Sequence, residues 1–566
     1  MGTHKGDRME KLANRKARPT ATRPNVEVKA NLPWWKTTGA FAFGGGLLMW
    51  AAMPPLAWGW LAWVALVPWV GLIAQEKMAG HKPHRVVWLA GFAFMLANIH
   101  WIRLPHPATY LGWLALSFYL SLYIPLFVGI SRLGVQQLKW PLELVVPTVW
   151  TGLELARGHI MTGFSMGLLS HTQVDWLMLI QLADLTGAYG ISFLLALSAC
   201  CLYRATSLLI QPPLPDRWLA VTGKLAPAAL AVATTLGYGA VRLQQEAPLP
   251  GIKIGLIQGS VPQTLKSDAD KARSLVLRHL ELSLQAAQQH PDVIVWPETM
   301  WRYGMPVEKN ARVRLGEDWT NADVQTASET LRGLGCPLLI GVDTFDLDFT
   351  PPKHYNSAAL VNSSGKMLGH YHKVHRVLFG EYIPFAESLP WLYRLTPLTG
   401  GIKSGSLEQL PIKLNHVRLA TNICFESTVP HLIRHQVNSA RLQGQPADVL
   451  VNLTNDAWFW GSSELDMHLN CAVFRAIECR KPWVAAANNG LSMSIDASGR
   501  RLWVSPRQAE AVHVADVKFD NRHSFYLAIG DWFAGLCLLI TSICAGWGAY
   551  RWRGLGKIPK KNGPRI

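Results

Sequence analysis

Long apolar stretches alternate with short basic loops in the first 245 residues of the chain. A helix needs about 20 mostly apolar residues to cross the hydrocarbon core of a bilayer. Residues 37–75 carry no charge, and Pro54 and Pro55 divide them into two candidate spans. The pattern therefore predicts seven spans, at residues 35–53, 56–75, 86–103, between Arg103 and Arg132, 143–164, 176–203 and 217–241.

The pattern changes near Gly251 and changes back near residue 525. Apolar strands alternate there with helical stretches such as 268–289 and 463–479; examples of the strands are KIGLIQ (253–258), VIVW (293–296), PLLIGV (337–342) and VLVNL (449–453). This alternation is typical of an α/β domain. Residues 532–550 again carry no charge and predict an eighth span.

The expected fold is a polytopic α-helical membrane protein with about eight transmembrane helices and an inserted α/β domain. We divide the chain into a basic tail (1–33), helices 1–7 (34–245), an extracytoplasmic catalytic domain (250–523), helix 8 (525–550) and a second basic tail (551–566).

Composition and charge support this class. Hydrophobic residues make up 49% of the chain and charged residues 16%, which excludes a disordered chain or an ordinary cytosolic multidomain enzyme. The net charge of +17 is concentrated in two tails that flank apolar runs, so nucleic-acid binding is not expected. The positive-inside rule places both tails in the cytoplasm. Eight crossings then place the large domain on the opposite face.

Three predicted strands of this domain end in residues able to carry chemistry. Glu298 ends VIVWPE, Lys373 follows a third strand, and Cys424 ends LATNIC. Ligands and catalytic groups of α/β folds lie at the C-terminal ends of strands. A cysteine at a strand-to-helix turn is exposed, and the helix N-terminus lowers the pKa of its thiol. Alone, such a glutamate is more often a surface residue and such a cysteine more often a buried structural one; the order Glu, Lys, Cys at three strand ends indicates a catalytic site.

The sequence predicts no metal and no cofactor. His372 and His375 flank Lys373, but no carboxylate lies at metalloprotease spacing from them. The eight cysteines include no CxxC pair.

The order Glu298, Lys373, Cys424 resembles the Glu-Lys-Cys triad of the nitrilase, or carbon–nitrogen hydrolase, superfamily, whose domains are α-β-β-α sandwiches. The whole chain resembles the apolipoprotein N-acyltransferase family. Further matching stretches are QGSVPQ (258–263), WPE (296–298), FGEYIPF (379–385), NLTNDAWF (452–459), NNG (488–490), ELARG (154–158) and LTGAYG (185–190).

The resemblance implies an acyl transfer through a cysteine thioester. Cys424 would be the nucleophile, Glu298 the general base and acid, and Lys373 the cation that stabilises the oxyanion. The backbone N–H of Phe425 would be a second oxyanion donor, and Glu381 would hold Lys373 and Glu298 in position.

Other residues are less well defined by the sequence. Glu426 is expected to be exposed beside the nucleophile, where it orients the substrate or the turn. The family usually has tyrosine where this chain has Phe425, and often tryptophan where Ser267 stands. The segment 386–398, followed by glycine-rich residues 399–405, fits an amphipathic lid and a plain surface loop equally well. The roles of three ionisable residues within or beside spans stay open: Glu154, Arg157 and Asp184.

By resemblance, the donor is a membrane phospholipid, typically phosphatidylethanolamine, and the acceptor is the diacylglyceryl cysteine of an apolipoprotein. The expected protein is a monomer in the bacterial inner membrane, with its catalytic domain on the periplasmic face and both termini cytoplasmic. A membrane-tethered amidase that hydrolyses a small amide is the alternative, because it would share the triad. A scaffold or transporter with a degenerate domain is a further alternative, which the intact triad disfavours.

Overall fold

The computed structural model describes residues 33, 36–212, 215–246, 248–308, 311–315, 317, 320–386, 388–395 and 401–553. The two predicted basic tails therefore lie outside the described residues, apart from Pro33 and residues 551–553. Parts of the predicted lid, residues 387 and 396–400, lie outside them as well.

The first half of the chain is helical and apolar. Its α-helices are α1 (Thr38–Ala52), α2 (Ala62–Ala65), α3 (Val67–Ala74), α4 (Pro83–Asn98), α5 (Thr109–Ser121), α6 (Tyr123–Arg132), α7 (Leu142–His159), α8 (Leu177–Ile180), α9 (Ala183–Thr186), α10 (Ala188–Ile210) and α11 (Arg217–Gln244). Four helical segments of the described chain are long and apolar enough to cross a membrane: Thr109–Gln137, Ala188–Ile210, Arg217–Gln244 and Trp532–Arg551. The count of eight spans stays a prediction.

The sixth predicted span, residues 176–203, differs from the helix that forms there. The chain makes the short helices α8 and α9, and the long helix α10 begins only at Ala188. Gly187 separates them with a φ of 66°, a value that L side chains rarely adopt. A Cβ at this position would also lie 2.6 Å from the ring of Tyr526. Asp184 and Gly187 stand at this break, but the apolar residues on both sides of them led to the prediction of one span.

The second half contains two β-sheets. The strands are β1 (Leu249–Gln258), β2 (Val293–Val295), β3 (Trp301–Pro306), β4 (Leu338–Asp346), β5 (Lys353–Val361), β6 (Met367–His372), β7 (Ile412–Leu414), β8 (Val417–Ile423), β9 (Val449–Asn455), β10 (Trp483–Asn488), β11 (Met493–Ile495), β12 (Arg501–Val504) and β13 (Ala511–Phe519). The order is β13-β1-β2-β4-β5-β6 in one sheet, with β3 beside β4, and β12-β11-β10-β9-β8-β7 in the other. The predicted strands in β1, β2, β4 and β9 are confirmed.

Helices cover the outer faces of both sheets. The remaining helices are α12 (Gln263–Lys266), α13 (Ala272–Ala287), α14 (Asn321–Gly333), α15 (Pro430–Leu442), α16 (Glu464–Cys479), α17 (Phe525–Ile529) and α18 (Trp532–Trp552). One apolar core lies between the sheets, and a second lies between the first sheet and α13 and α14. The third core joins the second sheet, α15 and α16 to the membrane helices without interruption. The half of the chain that contains the sheets is thus packed directly on the apolar helices of the first half.

A buried ion cluster also connects the two halves. Asp184 of α9 accepts hydrogen bonds from Arg480, at 2.6 and 2.9 Å, and from Arg242, at 2.8 Å. The hydroxyl of Tyr238 donates to the same carboxylate at 2.6 Å. Since the Asp184 side chain is 1% exposed and that of Arg480 0%, this carboxylate balances charge that water does not reach. The sequence left the role of Asp184 open, and the structure places it in the contact between the two halves of the chain.

We expect Asp184→Asn to lower the free energy of unfolding by about 3–5 kcal/mol, because it leaves the buried guanidinium of Arg480 without a counter-charge. The measurement is denaturant unfolding of the purified protein in detergent. Asp175→Asn is the matched control, since Asp175 pairs with Arg501 at the surface and its side chain is 69% exposed. Its loss should cost about 1 kcal/mol or less. Equal destabilisation by the two variants would contradict this assignment.

Candidate active site

The nucleophile candidate Cys424 begins a tight turn at the end of β8. A short 3₁₀ helix covers Cys424–Thr428, and Cys424 itself has a φ of 53°. A non-glycine residue in this region is strained, and such residues concentrate at functional sites. The first N–H groups of a helix have no acceptor within it, which leaves the Phe425 N–H available to a substrate. The Phe425 ring stacks against His375, with the ring centroids 5.9 Å apart.

Glu426 lies beneath this turn, so the expectation that it is exposed is wrong. Its side chain is completely buried. Its carboxylate accepts hydrogen bonds from the backbone N–H groups of Ile423 (2.7 Å), Val374 (2.6 Å) and His375 (2.9 Å), and from the hydroxyl of Tyr371. Burial raises the pKa of Glu426 to about 7, and the backbone donors oppose that rise. Glu426 therefore joins the segment after β6 to the Cys424 turn and does not face a substrate.

Lys373 directly follows β6 and is 1% exposed. Its Nζ lies 2.6 Å from Oε1 of Glu381 and 3.4 Å from Oε1 of Glu298. Burial alone would lower the pKa of Lys373, but the two carboxylates raise it well above its usual value. The other oxygen of Glu381 accepts from the Val377 N–H at 2.8 Å, which fixes this carboxylate within its own loop. Lys373 is therefore a fixed cation.

Glu298 follows β2 and is nearly buried. Its Oε1 accepts a hydrogen bond from Nδ2 of Asn356 at 2.6 Å, and its backbone carbonyl accepts one from Nζ of Lys266 at 2.8 Å. Burial lowers the pKa of Lys266 to about 8. The sequence analysis missed both contacts. No signal in the sequence distinguishes Asn356, because it lies in the polar first half of strand β5, between Tyr355 and Ser357.

Cys424 differs from the other cysteines of the chain. Seven of the eight are buried, and Cys424 alone is partly exposed. Burial of the sulfur raises the pKa of its thiol well above the usual value, and the charge of Glu298 raises it further, whereas Lys373 lowers it. The thiol is therefore neutral near pH 7 and needs a base, contrary to the lowered pKa expected from the helix N-terminus. The carboxylate with the largest effect on its pKa is that of Glu298, which the sequence predicts as the base.

The two histidines that flank Lys373 have separate contacts. The Nδ1 of His372 lies 2.7 Å from the hydroxyl oxygen of Ser357, and His375 stacks on Phe425. Elsewhere in the domain, Asp456, Glu464 and His468 bring three atoms of metal-ligand type within 4.8 Å of one another. The structure thus brings together Glu298, Lys373, Glu381 and the charges that act on Cys424, at the edge where β2, β6 and β8 end.

Two face-to-face sheets with these residues at their shared edge define a domain of the carbon-nitrogen hydrolase class. The family model of that name, Carbon-nitrogen hydrolase, matches residues 253–525. A second family model, the Apolipoprotein N-acyltransferase N-terminal domain, matches residues 45–201.

Relatives of similar length match nearly the whole chain. The apolipoprotein N-acyltransferase of Rhodopirellula baltica is 30% identical over 92% of this chain and 98% of its own length. That of Geobacter metallireducens is 32% identical over 88% and 93%. The crystal structure of Saccharomyces cerevisiae Nit3, of the nitrilase superfamily, aligns with 49% of this chain and 94% of that protein at 18% identity, with a TM-score of 0.34. The chain belongs to the apolipoprotein N-acyltransferase family.

Glu298 raises the pKa of the Cys424 thiol and is also the predicted base that removes its proton. One substitution separates these two effects. Glu298→Gln removes a negative charge that raises the pKa of Cys424. We expect the thiolate fraction at pH 7, and with it the rate of alkylation of Cys424 by iodoacetamide, to rise about tenfold. The same variant loses the base for acyl loading. Peptide mapping by mass spectrometry measures the alkylation at Cys424.

Glu408→Gln is the matched control, because it removes a carboxylate whose side chain is 62% exposed. It should leave the alkylation rate unchanged. Slower alkylation of Cys424 in Glu298→Gln would show that Glu298 lowers the pKa of the thiol, contrary to the arrangement described here.

Proposed function

We propose that the protein transfers a fatty acyl group from a membrane phospholipid to the N-terminal diacylglyceryl cysteine of an apolipoprotein, with Cys424, Glu298 and Lys373 as catalytic residues. Family membership makes the chain an acyltransferase. The observation that carries the proposal is the site itself: a neutral thiol, a carboxylate and a buried ammonium converge in a domain whose apolar core continues into membrane helices.

The first half-reaction loads the enzyme. Glu298 removes the thiol proton as the sulfur attacks the ester carbonyl of the phospholipid. Lys373 and the Phe425 N–H stabilise the tetrahedral oxyanion; loss of one such donor typically costs about a hundredfold or more in rate. The bond between the carbonyl carbon and the glycerol oxygen then breaks. Glu298 returns the proton to that oxygen, so a lysophospholipid leaves and a thioester stays on Cys424.

The second half-reaction discharges the thioester. The α-amino group of the acceptor attacks the thioester carbonyl, and Glu298 accepts its proton. The carbon–sulfur bond breaks, an amide forms, and the proton returns to the sulfur of Cys424. Both substrates are held in the bilayer, so a domain packed on membrane helices meets them with little loss of translational freedom.

An apolar segment beside the site supports a lid that excludes water from the thioester. Phe385 is 78% exposed, and Leu389 and Trp391 are also exposed on or beside a short 3₁₀ helix, Pro390–Leu395. Exposed aromatic and aliphatic side chains of this kind insert into the headgroup region of a bilayer. We propose that the described part of this segment, residues 385–386, 388–395 and 401–405, covers the site at the membrane surface.

The finer points of the assignment belong to the same proposal. We propose eight spans with the domain boundaries given above, a monomer in the bacterial inner membrane, and phosphatidylethanolamine as the donor. Both basic tails are then cytoplasmic, and residues 250–523 lie on the periplasmic face. The basic residues of the tails support this orientation by the positive-inside rule.

Phospholipid alone should load the enzyme. We expect a hydroxylamine-sensitive mass increase of one acyl group on Cys424, with release of lysophospholipid and ping-pong kinetics once a diacylated lipopeptide is added. Cys424→Ala should abolish the adduct, whereas Cys336→Ala, a change at a buried cysteine, should retain it. Intact-protein mass spectrometry makes the measurement.

Two outcomes would contradict the proposal in different ways. Product formed only when both substrates are present, with no adduct trapped, would indicate direct transfer. Free fatty acid released in place of acylated lipopeptide would favour the hydrolytic alternative.

Reporter fusions test the orientation. Fusions in the basic loops at residues 77–85 and 204–217 should report a cytoplasmic location, and fusions within 260–520 a periplasmic one. A cytoplasmic signal from the large domain would overturn the proposed function, because the lipoprotein substrate is modified on the outer face of the inner membrane.

A further inference from the structure

A buried polar cluster lies against the nucleophile turn, separate from Glu298 and Lys373. We call it the His468 cluster; it consists of Ser427, Asp456, Glu464 and His468. Each of these four residues is at most 6% exposed. Ser427 belongs to the Cys424 turn, Asp456 follows β9, and the other two lie on α16. No step of the proposed reaction uses them.

The hydrogen bonds of Ser427 fix the protonation of His468 at one nitrogen. The Ser427 hydroxyl donates to the backbone carbonyl of Cys424 at 3.2 Å, and its oxygen lies 2.5 Å from Nε2 of His468. A serine has a single proton to donate. We assign that proton to the Cys424 carbonyl, so Nε2 of His468 carries a hydrogen and donates it to Ser427.

The other nitrogen of His468 faces two carboxylates. Its Nδ1 lies 3.5 Å from Oδ1 of Asp456 and 3.9 Å from Oε1 of Glu464. An unprotonated nitrogen would place a lone pair against the Asp456 carboxylate, so the charged ring is the form that fits; burial raises the pKa of Glu464 itself to about 8. Burial opposes this charge, but Asp456 and Glu464 raise the pKa of His468 to about 9. His468 is therefore an imidazolium at neutral pH.

Two sequence motifs build the cluster. In NLTNDAWF, Thr454 donates to Oδ1 of Asp456 at 2.7 Å, and Asn452 donates to the Cys424 carbonyl at 3.2 Å. In NNG, Gly490 makes room: a Cβ there would lie 2.1 Å from Oδ2 of Asp456. The resemblance to the family singled out both motifs without giving them a task.

We propose that His468 is a positioning residue for acyl transfer, acting through Ser427 on the carbonyl of Cys424 and so holding the nucleophile turn in its strained conformation. The inference rests on the proposed function. With a φ of 53°, Cys424 is held at a cost of about 1–3 kcal/mol. The carbonyl of Cys424 and the N–H of Phe425 belong to one peptide plane, so if that carbonyl rotates, the Phe425 N–H turns with it.

Two substitutions of His468 separate positioning from folding. In His468→Gln the amide nitrogen reaches the place of Nε2 and still donates to Ser427, whereas in His468→Asn it reaches only the place of Nδ1. We expect His468→Asn to lower the maximal rate of thioester loading about a hundredfold, with the half-saturating phospholipid concentration changed less than twofold. His468→Gln should recover about tenfold of that loss, and Ser427→Ala should resemble His468→Asn.

The matched control is His435→Asn on α15, where the histidine is exposed and pairs with Glu408 at the surface. It should load at the wild-type rate. Loading is followed by intact-protein mass spectrometry of detergent-purified enzyme with phospholipid vesicles, and circular dichroism confirms that each variant is folded.

Three results would overturn the inference. The first is wild-type loading by His468→Asn. The second is an equal loss of loading rate in the Gln and Asn variants, in proportion to the fraction of each variant that is unfolded. The third is one equivalent of metal bound by wild type and lost from His468→Asn, which would make the cluster a metal site. If the wild-type enzyme does not form the thioester, the proposed function fails as well. If the wild-type enzyme loads but the variants do not show the expected loading rates, only this inference fails.

Discussion

The site depends on the ammonium of Lys373, which is held away from water between the carboxylates of Glu298 and Glu381. Removing a charge from water costs several kcal/mol, and only close counter-charges offset that cost. The cation therefore binds both carboxylates in fixed positions. Glu298 follows β2 of the first sheet, and Glu381 lies in the loop after β6. Because Lys373 also lowers the pKa of the Cys424 thiol, one buried charge acts on the proposed base, the proposed nucleophile and the proposed oxyanion site together.

Helix α16 extends from the Cys424 turn to the membrane helices. Near its first turn, α16 carries Glu464 and His468, which belong to the His468 cluster against the nucleophile turn. At its other end, Arg480 makes its ion pair with Asp184 of α9. Between these ends every side chain of α16 is buried, and its apolar residues belong to the core shared with the membrane helices. A tilt of the domain on the membrane would therefore move the support of the nucleophile turn.

The sequence patterns predicted features that depend on neighbouring residues and missed contacts between residues that are far apart in the chain. The strands before Glu298 and Cys424 could be predicted because each is an apolar run. The order Glu298, Lys373, Cys424 indicated the triad through its resemblance to a known family, and the catalytic roles stay predictions. The burial of Glu426 could not be predicted, because two of its backbone donors, at residues 374 and 375, are about 50 positions away in the chain. Asn356 was missed for the same reason: only the folded sheet shows that it faces Glu298.

In the proposed mechanism, the raised pKa of Cys424 makes both half-reactions depend on a proton transfer. A neutral thiol needs a base before it attacks, which slows loading unless Glu298 is in place. The same property makes the thiolate a poor leaving group, so the thioester loses its acyl group readily only when a proton returns to the sulfur. The proton that Glu298 removes from an attacking amine serves this purpose. Base and leaving group are thereby coupled through one carboxylate, and the Asn356 hydrogen bond that orients Glu298 bears on both steps.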